Sequence, residues 1–418
     1  MNDSSFLFTR RDFLKSAALA GAAMSLPNFL TNSVSAAIDP ATGAPGFKDD
    51  RLLIVIQMGG GNDGLNTIVP YSNDVYHALR PRLALKKDKI LTLNDDLGMH
   101  GGMTGFKELY DAGELAIVNG VGYPDPDQSH FRSMEIWQTA VDSNRYSNSG
   151  WIGRYFESTA KGGKVDPLVA VNIGEQSPQA FDSRSDVGVS FTDPGRFQWN
   201  TGKNPDARPA FETLNKIHAE HHEERTIDFL RHTTANAILS SDRVQKAARV
   251  KRQAPQYPPG RLTNSLRSIA NMISAGLPTR VYYASITGFD THSNQLGQQE
   301  RLLTEIGAAT AAFWNDLKAI GVADRTMIMA FSEFGRRAGE NASGGTDHGT
   351  AGPMFLVGKN VNPGVHGAMP SLTDLDNGNL KYTVDFRSVY SEVLTKWLKA
   401  ETKPVVGREF PLIGALRA

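Results

Sequence analysis

The chain has 418 residues, with 44 Lys+Arg against 44 Asp+Glu, 40% hydrophobic and 21% charged. That composition belongs to a globular protein and excludes a disordered, collagen-like or multi-span membrane chain. The balanced charge, with no Lys/Arg block, argues against nucleic acid as a partner. The absence of cysteine excludes disulfides, Cys-ligated zinc, iron–sulfur clusters and thiol catalysis, so any metal must be held by His, carboxylate, hydroxyl or amide groups.

The first element is a targeting segment. Thr9-Arg10-Arg11-Asp12-Phe13-Leu14-Lys15 precedes an Ala-rich apolar run, and Val34-Ser35-Ala36 offers small residues to a signal peptidase. Paired arginines, apolar run and small residues in that order are the twin-arginine export pattern. They predict a signal peptide over 1–36, the twin-arginine translocation machinery as a partner, and a periplasmic or otherwise exported product. No later stretch approaches the roughly 20 apolar residues of a membrane span, so the mature chain is not expected to be an integral membrane protein. The Pro/Gly/Ala-rich residues 37–50 read as a linker, and 51–418 as one domain.

Short apolar runs follow at Leu52–Met58, Leu115–Val118, Leu168–Val171, Arg280–Ile286, Thr326–Phe331 and Met354–Val357, the pattern of strands covered on both faces. Helical periodicity separates them at Phe131–Val141, Leu262–Ile273 and Ile306–Ile320. It recurs at Phe386–Trp397, the cleanest amphipathic pattern, with Asp385 as its cap. Alternating buried strands and helices predict an α/β fold, a mainly parallel sheet sandwiched by helices. An insertion is expected at about 175–260: Glu175–Asn204 reads as a long loop and Ala210–Arg252 as a polar helical subdomain or lid.

Open parallel sheets carry their sites at the carboxyl ends of the strands. Five clusters of ligand-type residues fall there: Gly59-Gly60-Gly61-Asn62-Asp63, Ser129-His130-Phe131, Asp290-Thr291-His292, Ser332-Glu333 and Asp347-His348-Gly349. Each has an ordinary reading. Asp63 suits a tight turn, Ser129 a helix cap, Asp290 and His292 a loop hydrogen bond, and Glu333 a pair with Arg336 or Arg337. Their shared position is the stronger argument for one site. His366 lies beyond the last long strand and a turn, from where it can return to the same rim. His218 and His222 are spaced i, i+4 but lack the H-E-x-x-H order, and with His221 they suit a solvated helix face. His77, His100 and His232 carry no signal.

Taken together, the twin arginines, Leu-Leu-Ile-Val-Ile-Gln-Met-Gly-Gly-Gly-Asn-Asp-Gly-Leu-Asn, Ser-His-Phe-Arg-Ser-Met-Glu-Ile-Trp-Gln, Gly-Phe-Asp-Thr-His, Phe-Ser-Glu-Phe-Gly-Arg and Asp-His-Gly resemble the exported bacterial family called domain of unknown function 1501. The likeness spans nearly the whole mature chain and implies an alkaline phosphatase-like fold, with two metal ions at the strand ends. It implies metal ligation by Asp347-His348, Asp290 and His292, His366 and Asp63, and a nucleophile at Ser129, with Ser133 as the alternative. The sulfatase nucleophile motif is absent. The expected function is hydrolysis of a phosphate or sulfate ester by divalent metal ions (Zn, Mn, Mg or Ca). The metal set would be Asp63, Asp290, His292, Glu333, Asp347, His348 and His366. His130 would serve as general acid or base beside Ser129, with Asn62, Arg132 and Arg336 on the substrate. The alternative is a non-catalytic periplasmic binding or assembly protein on the same fold.

Overall fold

The computed structural model describes residues 50–160, 165–184, 187–195, 197, 240–250 and 252–417. The expected signal peptide, all of the linker but Asp50, His218, His221, His222, His232 and most of the polar helical insertion lie outside these residues. Within the insertion, residues 240–248 are helical.

Nine strands form the main sheet: β1 (Leu52–Gly59), β2 (Leu115–Gly122), β3 (Ala170–Ile173), β4 (Val189–Phe191), β5 (Val281–Thr287), β6 (Thr326–Ser332), β7 (Gly352–Val357), β8 (Gly364–His366) and β9 (Val384–Asp385). Their order is β8-β2-β7-β6-β1-β5-β3-β4, with β9 also paired to β2. Every pairing is parallel except those of β7, which runs antiparallel to both β2 and β6. The fold is the expected mainly parallel sheet between helices.

The helices include α1 (Asp74–Leu79), α2 (Thr104–Asp111), α3 (His130–Thr139), α4 (Trp151–Ala160), α5 (Arg261–Ser274), α6 (Gln295–Ile320) and α7 (Phe386–Glu392). β1 shows why its run is continuously apolar. Leu52, Ile54, Ile56 and Met58 face the core shared with α2, α5 and α6. Leu53 and Val55 face the one shared with α3, α4 and α7. Strand side chains alternate, so a strand with a helix layer on each face needs apolar residues at every position. Each such Leu, Ile or Val contributes about 1.5–3 kcal/mol on full burial.

Two expectations change. The stretch read as loop from Glu175 contains β4, where Val189 and Phe191 pack into the core and Val189 pairs with Val171. Ser, Gly and Asp around a three-residue edge strand hide its alternation. The helix at Phe386 is buried nearly all round rather than amphipathic, with Arg387, Ser391 and Glu392 inside. Its polar residues carry structural work. Asp385 caps it by accepting from the Arg387 amide at 2.9 Å. Glu392 accepts the amides of Ile413, Gly414 and Leu416 at 2.8–2.9 Å, which ties the carboxyl-terminal segment to the helix.

Candidate functional site

The reversed strand shapes the site. β1, β5 and β6 end at one rim, and an antiparallel β7 starts there. Asp347 and His348, just before β7, therefore meet Asp290 and His292, just after β5. An isolated bridge between His348 and Arg336 fixes that approach. The glycine turn after β1 makes room for it. Gly60 has φ +119°, and a Cβ there would lie 2.4 Å from the Asp290 amide nitrogen; Gly61 has φ +73°, and its Cβ would lie 2.2 Å from the Phe334 ring. Only glycine permits both the conformation and the contact.

His130 opens α3. Its Nδ1 lies 2.9 Å from Glu333 Oε1, a buried carboxylate that also accepts the Gly60 amide at 2.8 Å. The Ser332 hydroxyl lies 3.1 Å from Glu333 Oε2. His348 Nδ1 lies 2.8 Å from the Gln128 carbonyl oxygen. Both partners accept, so both Nδ1 atoms carry a proton; Nε2 is then a lone pair in a neutral ring and a donor in a protonated one.

Those Nε2 atoms converge. His348 Nε2 is 3.1 Å from Asp290 Oδ1 and 3.0 Å from His292 Nε2. His292 Nε2 is itself 3.1 Å from Asp290 Oδ1. His130 Nε2 is 3.4 Å from Asp290 Oδ2, buried, and without a hydrogen-bond partner among the described residues. The His130 and His348 rings meet edge to face at 4.4 Å, and Phe334 packs against both at 4.9 Å. One ligating atom from each of His130, Asp290 and His348 lies within 4.8 Å of the others, a spacing that can hold a metal ion.

Charge is organised around Asp290. Burial alone would raise its carboxyl, but hydrogen bonds from Arg336 and His348 outweigh that and hold it at about 2. The Glu333 hydrogen bond raises His130 above its ordinary value. Asp347 is lowered, mainly by the Asn341 amide and then by His292. The site is graded: Glu333 and Arg336 are buried at its base, while the Asp290 and His292 side chains are 45% and 47% exposed at its mouth.

The expected residues divide. His130, Asp290, His292, Asp347 and His348 come together. Glu333 is present but turned to His130, not to Arg336 or Arg337. Asp63 lies elsewhere, in a buried pair with Arg80 at 2.6 Å, where it also caps the short turn at Gly64 and accepts from Gln295. Asn62 is buried, its amide bonded to the Ser332 hydroxyl at 2.9 Å and its side-chain oxygen to Thr67 at 3.1 Å. His366 binds the Asn362 carbonyl at 2.7 Å.

Arg336 spends its donors on the carbonyls of Gly60, Gly61, Phe289 and Thr346 and on Asp290, so it braces the rim rather than offering a free fork. Arg132 pairs with Glu135, donates to the Ser143 and Arg145 carbonyls and stacks on Tyr146. Ser129 is the N-cap residue of α3, yet its exposed hydroxyl makes no cap bond. Ser133 is buried and tied to Glu333 O at 2.5 Å and Tyr123 Oη at 2.8 Å.

Arg80, Gln128 and Asn341 carry no mark of their roles in the sequence. Gln128 contributes a backbone carbonyl, which no side-chain pattern can signal. Arg80 is a single arginine after a six-residue helix, with nothing in its neighbours to mark it as buried.

Residues 50–417 match the family model described as protein of unknown function (DUF1501). Residues 7–27 match that of the twin-arginine translocation pathway signal sequence. No curated protein matches the chain. Similar solved structures include the C-terminal periplasmic domain of EcEptC from Escherichia coli, at 11% identity over 90% of this chain and 94% of that one, TM-score 0.35. A protein in the alkaline phosphatase superfamily from Vibrio parahaemolyticus matches at 10% identity over 81% and 69%, TM-score 0.33. The lipoteichoic acid synthase LtaP from Listeria monocytogenes matches at 11% identity over 81% and 72%, TM-score 0.31. No helix among the described residues is long and apolar enough to cross a membrane.

Proposed function

Since the chain belongs to the DUF1501 family and is exported by the twin-arginine pathway, we propose that it is a metal-dependent hydrolase of a phosphate or sulfate ester. The observation that carries this reading is the pair of imidazoles fixed through Nδ1, whose Nε2 atoms both lie within 3.4 Å of the Asp290 carboxylate, with His130 Nε2 buried and without a hydrogen-bond partner among the described residues. In neutral rings these Nε2 atoms are acceptors beside a carboxylate, a repulsion that a cation among them would relieve. His130 and His348 with Asp290 would hold it, and His292 is a fourth donor at the open side. A bound divalent ion would polarise an ester oxygen and lower the pKa of an attacking hydroxyl or water.

The protein's own groups do the rest. Glu333 and the Gln128 carbonyl keep the protons on Nδ1 and aim both rings, the role outer acceptors play around metal-ligating histidines. Arg336 keeps Asp290 ionised. His130 is better suited to ligation than to acid–base work, because its Nε2 points at Asp290. Ser129 presents a free hydroxyl at the first turn of α3, where unpaired amides favour negative charge.

Ser129→Gly separates a nucleophile from a cap. Because the native hydroxyl makes no cap bond, stability should change by only a few tenths of a kcal/mol. Turnover of the best ester from a phosphate and sulfate panel should fall at least about a hundredfold. An unchanged rate would remove Ser129 as nucleophile. A panel in which nothing is hydrolysed with any divalent metal would favour the non-catalytic reading.

Export has its own test. Arg10→Lys with Arg11→Lys should leave the precursor in the cytoplasm on cell fractionation, because the paired guanidinium groups are the receptor-read part of the signal. Normal appearance of the processed double mutant outside the cytoplasm would contradict it.

A further inference from the structure

We infer that the centre takes one ion of the zinc class rather than two hard cations, and that the Arg80 guanidinium permanently fills the cation place at Asp63. The inference rests on the metal-dependent reading above and sharpens it.

Asp63 stands where the sequence pattern expects a ligand, directly after β1, but three donors already occupy its carboxylate. Oδ2 accepts from Arg80 Nη1 at 2.6 Å and from the Gln295 amide; Oδ1 accepts from the Leu65 amide at 3.2 Å. Arg80 is fully buried and bonded on every side. Its Nε donates to the Ala338 carbonyl at 2.8 Å, Nη1 also to Asn66 at 3.0 Å, and Nη2 to the Arg337 carbonyl at 2.8 Å. A metal ion at Asp63 would have to expel a guanidinium that has no path to water and strand its acceptors unpaired in the interior. Both changes are costly.

The remaining centre selects its ion by chemistry. Among the described residues, His130, Asp290 and His348 are the group whose ligating atoms close on one point. It offers two imidazoles and one carboxylate, and Arg336 already holds one oxygen of that carboxylate at 2.8 Å. Mg²⁺ and Ca²⁺ require a mostly oxygen shell. Imidazole-rich sites suit Zn²⁺ and the neighbouring first-row ions.

Elemental analysis of the purified exported protein, followed by titration of the metal-stripped protein with ZnCl2, MgCl2 and CaCl2, tests this directly. One equivalent of a first-row ion per chain is expected, regained from Zn²⁺ and not from Mg²⁺ or Ca²⁺. Asp63→Asn, and the charge-neutral pair Asp63→Asn with Arg80→Met, should keep that one equivalent. Two equivalents in the native protein, or loss of metal from a variant with native circular dichroism, would overturn the role given to Arg80. One equivalent restored by Mg²⁺ or Ca²⁺ would overturn the choice of ion. No binding of any metal would instead overturn the hydrolase reading on which the inference stands.

Discussion

His348→Ala is expected to abolish the rise in melting temperature that Zn²⁺ gives the metal-stripped protein. A ligand that binds only the folded chain stabilises it by RT ln(1 + [L]/Kd), about 2.7 kcal/mol at a hundredfold excess over Kd. In a domain of this size that amounts to several degrees in a calorimetric or dye-based scan. His348 is the right position to remove. Its ring is partly exposed, so its loss leaves a small, wettable gap. Asp290→Asn is a poorer probe, because Asp290 also neutralises the buried Arg336, and its loss would confuse metal binding with folding. A native protein whose melting curve ignores both Zn²⁺ and chelator would sink the metal centre. A His348→Ala protein that still responds fully would move it to other ligands.

The second large effect is expected far from any chemistry. Arg80→Met should lower stability by about 3–5 kcal/mol in urea unfolding, because removing one partner strands the Asp63 charge in the interior. The carbonyls of Ala338 and Arg337 lose their donors as well. Adding Asp63→Asn to Arg80→Met should recover part of the loss, since it removes the stranded charge; contacting residues need not behave additively. Arg82→Met gives the comparison. Arg82 is 54% exposed and pairs with Glu340, so its loss should cost no more than about 1 kcal/mol. If Arg80→Met and Arg82→Met cost the same, the buried pair is not the keystone of this region.

The sheet was readable from the sequence because strands buried on both faces are largely apolar along their length, as β1, β5 and β6 are apart from Gln57, Ser285 and residues at their ends. The rim followed from the sheet. Asp290, His292 and Asp347-His348 were placed there by their position beside strands, and the structure brings them together. What could not be read was the destination of each charge. Asp63 and Asp290 occupy equivalent places after neighbouring parallel strands and each pairs with an arginine, but Asp63 is buried with its partner while Asp290 stays half-exposed among imidazoles. Arg80 makes Asp63 part of a buried pair, and no local pattern distinguishes it from a surface arginine. His366 has the same lesson in reverse: its strand returns to the sheet, but its ring turns to the Asn362 carbonyl only a few residues away. Ser129 was legible as a helix start, whereas the missing cap bond depends on a rotamer that packing and solvent decide.

The strand order also governs when the chain can begin to fold. The first strand to leave the ribosome sits near the middle of the sheet, and its two neighbours come late: Leu53 pairs with Val281 and Leu52 with Thr326. Most of the polypeptide must therefore be synthesised before β1 finds either partner. Contacts so distant in sequence close slowly, and the apolar β1 stays open to aggregation meanwhile. The residues at 130, 290 and 348 proposed to hold the metal share that dependence, so no fragment released early in translation brings all three together. A pathway that carries folded cargo lets β1 find both neighbours before the chain crosses the membrane.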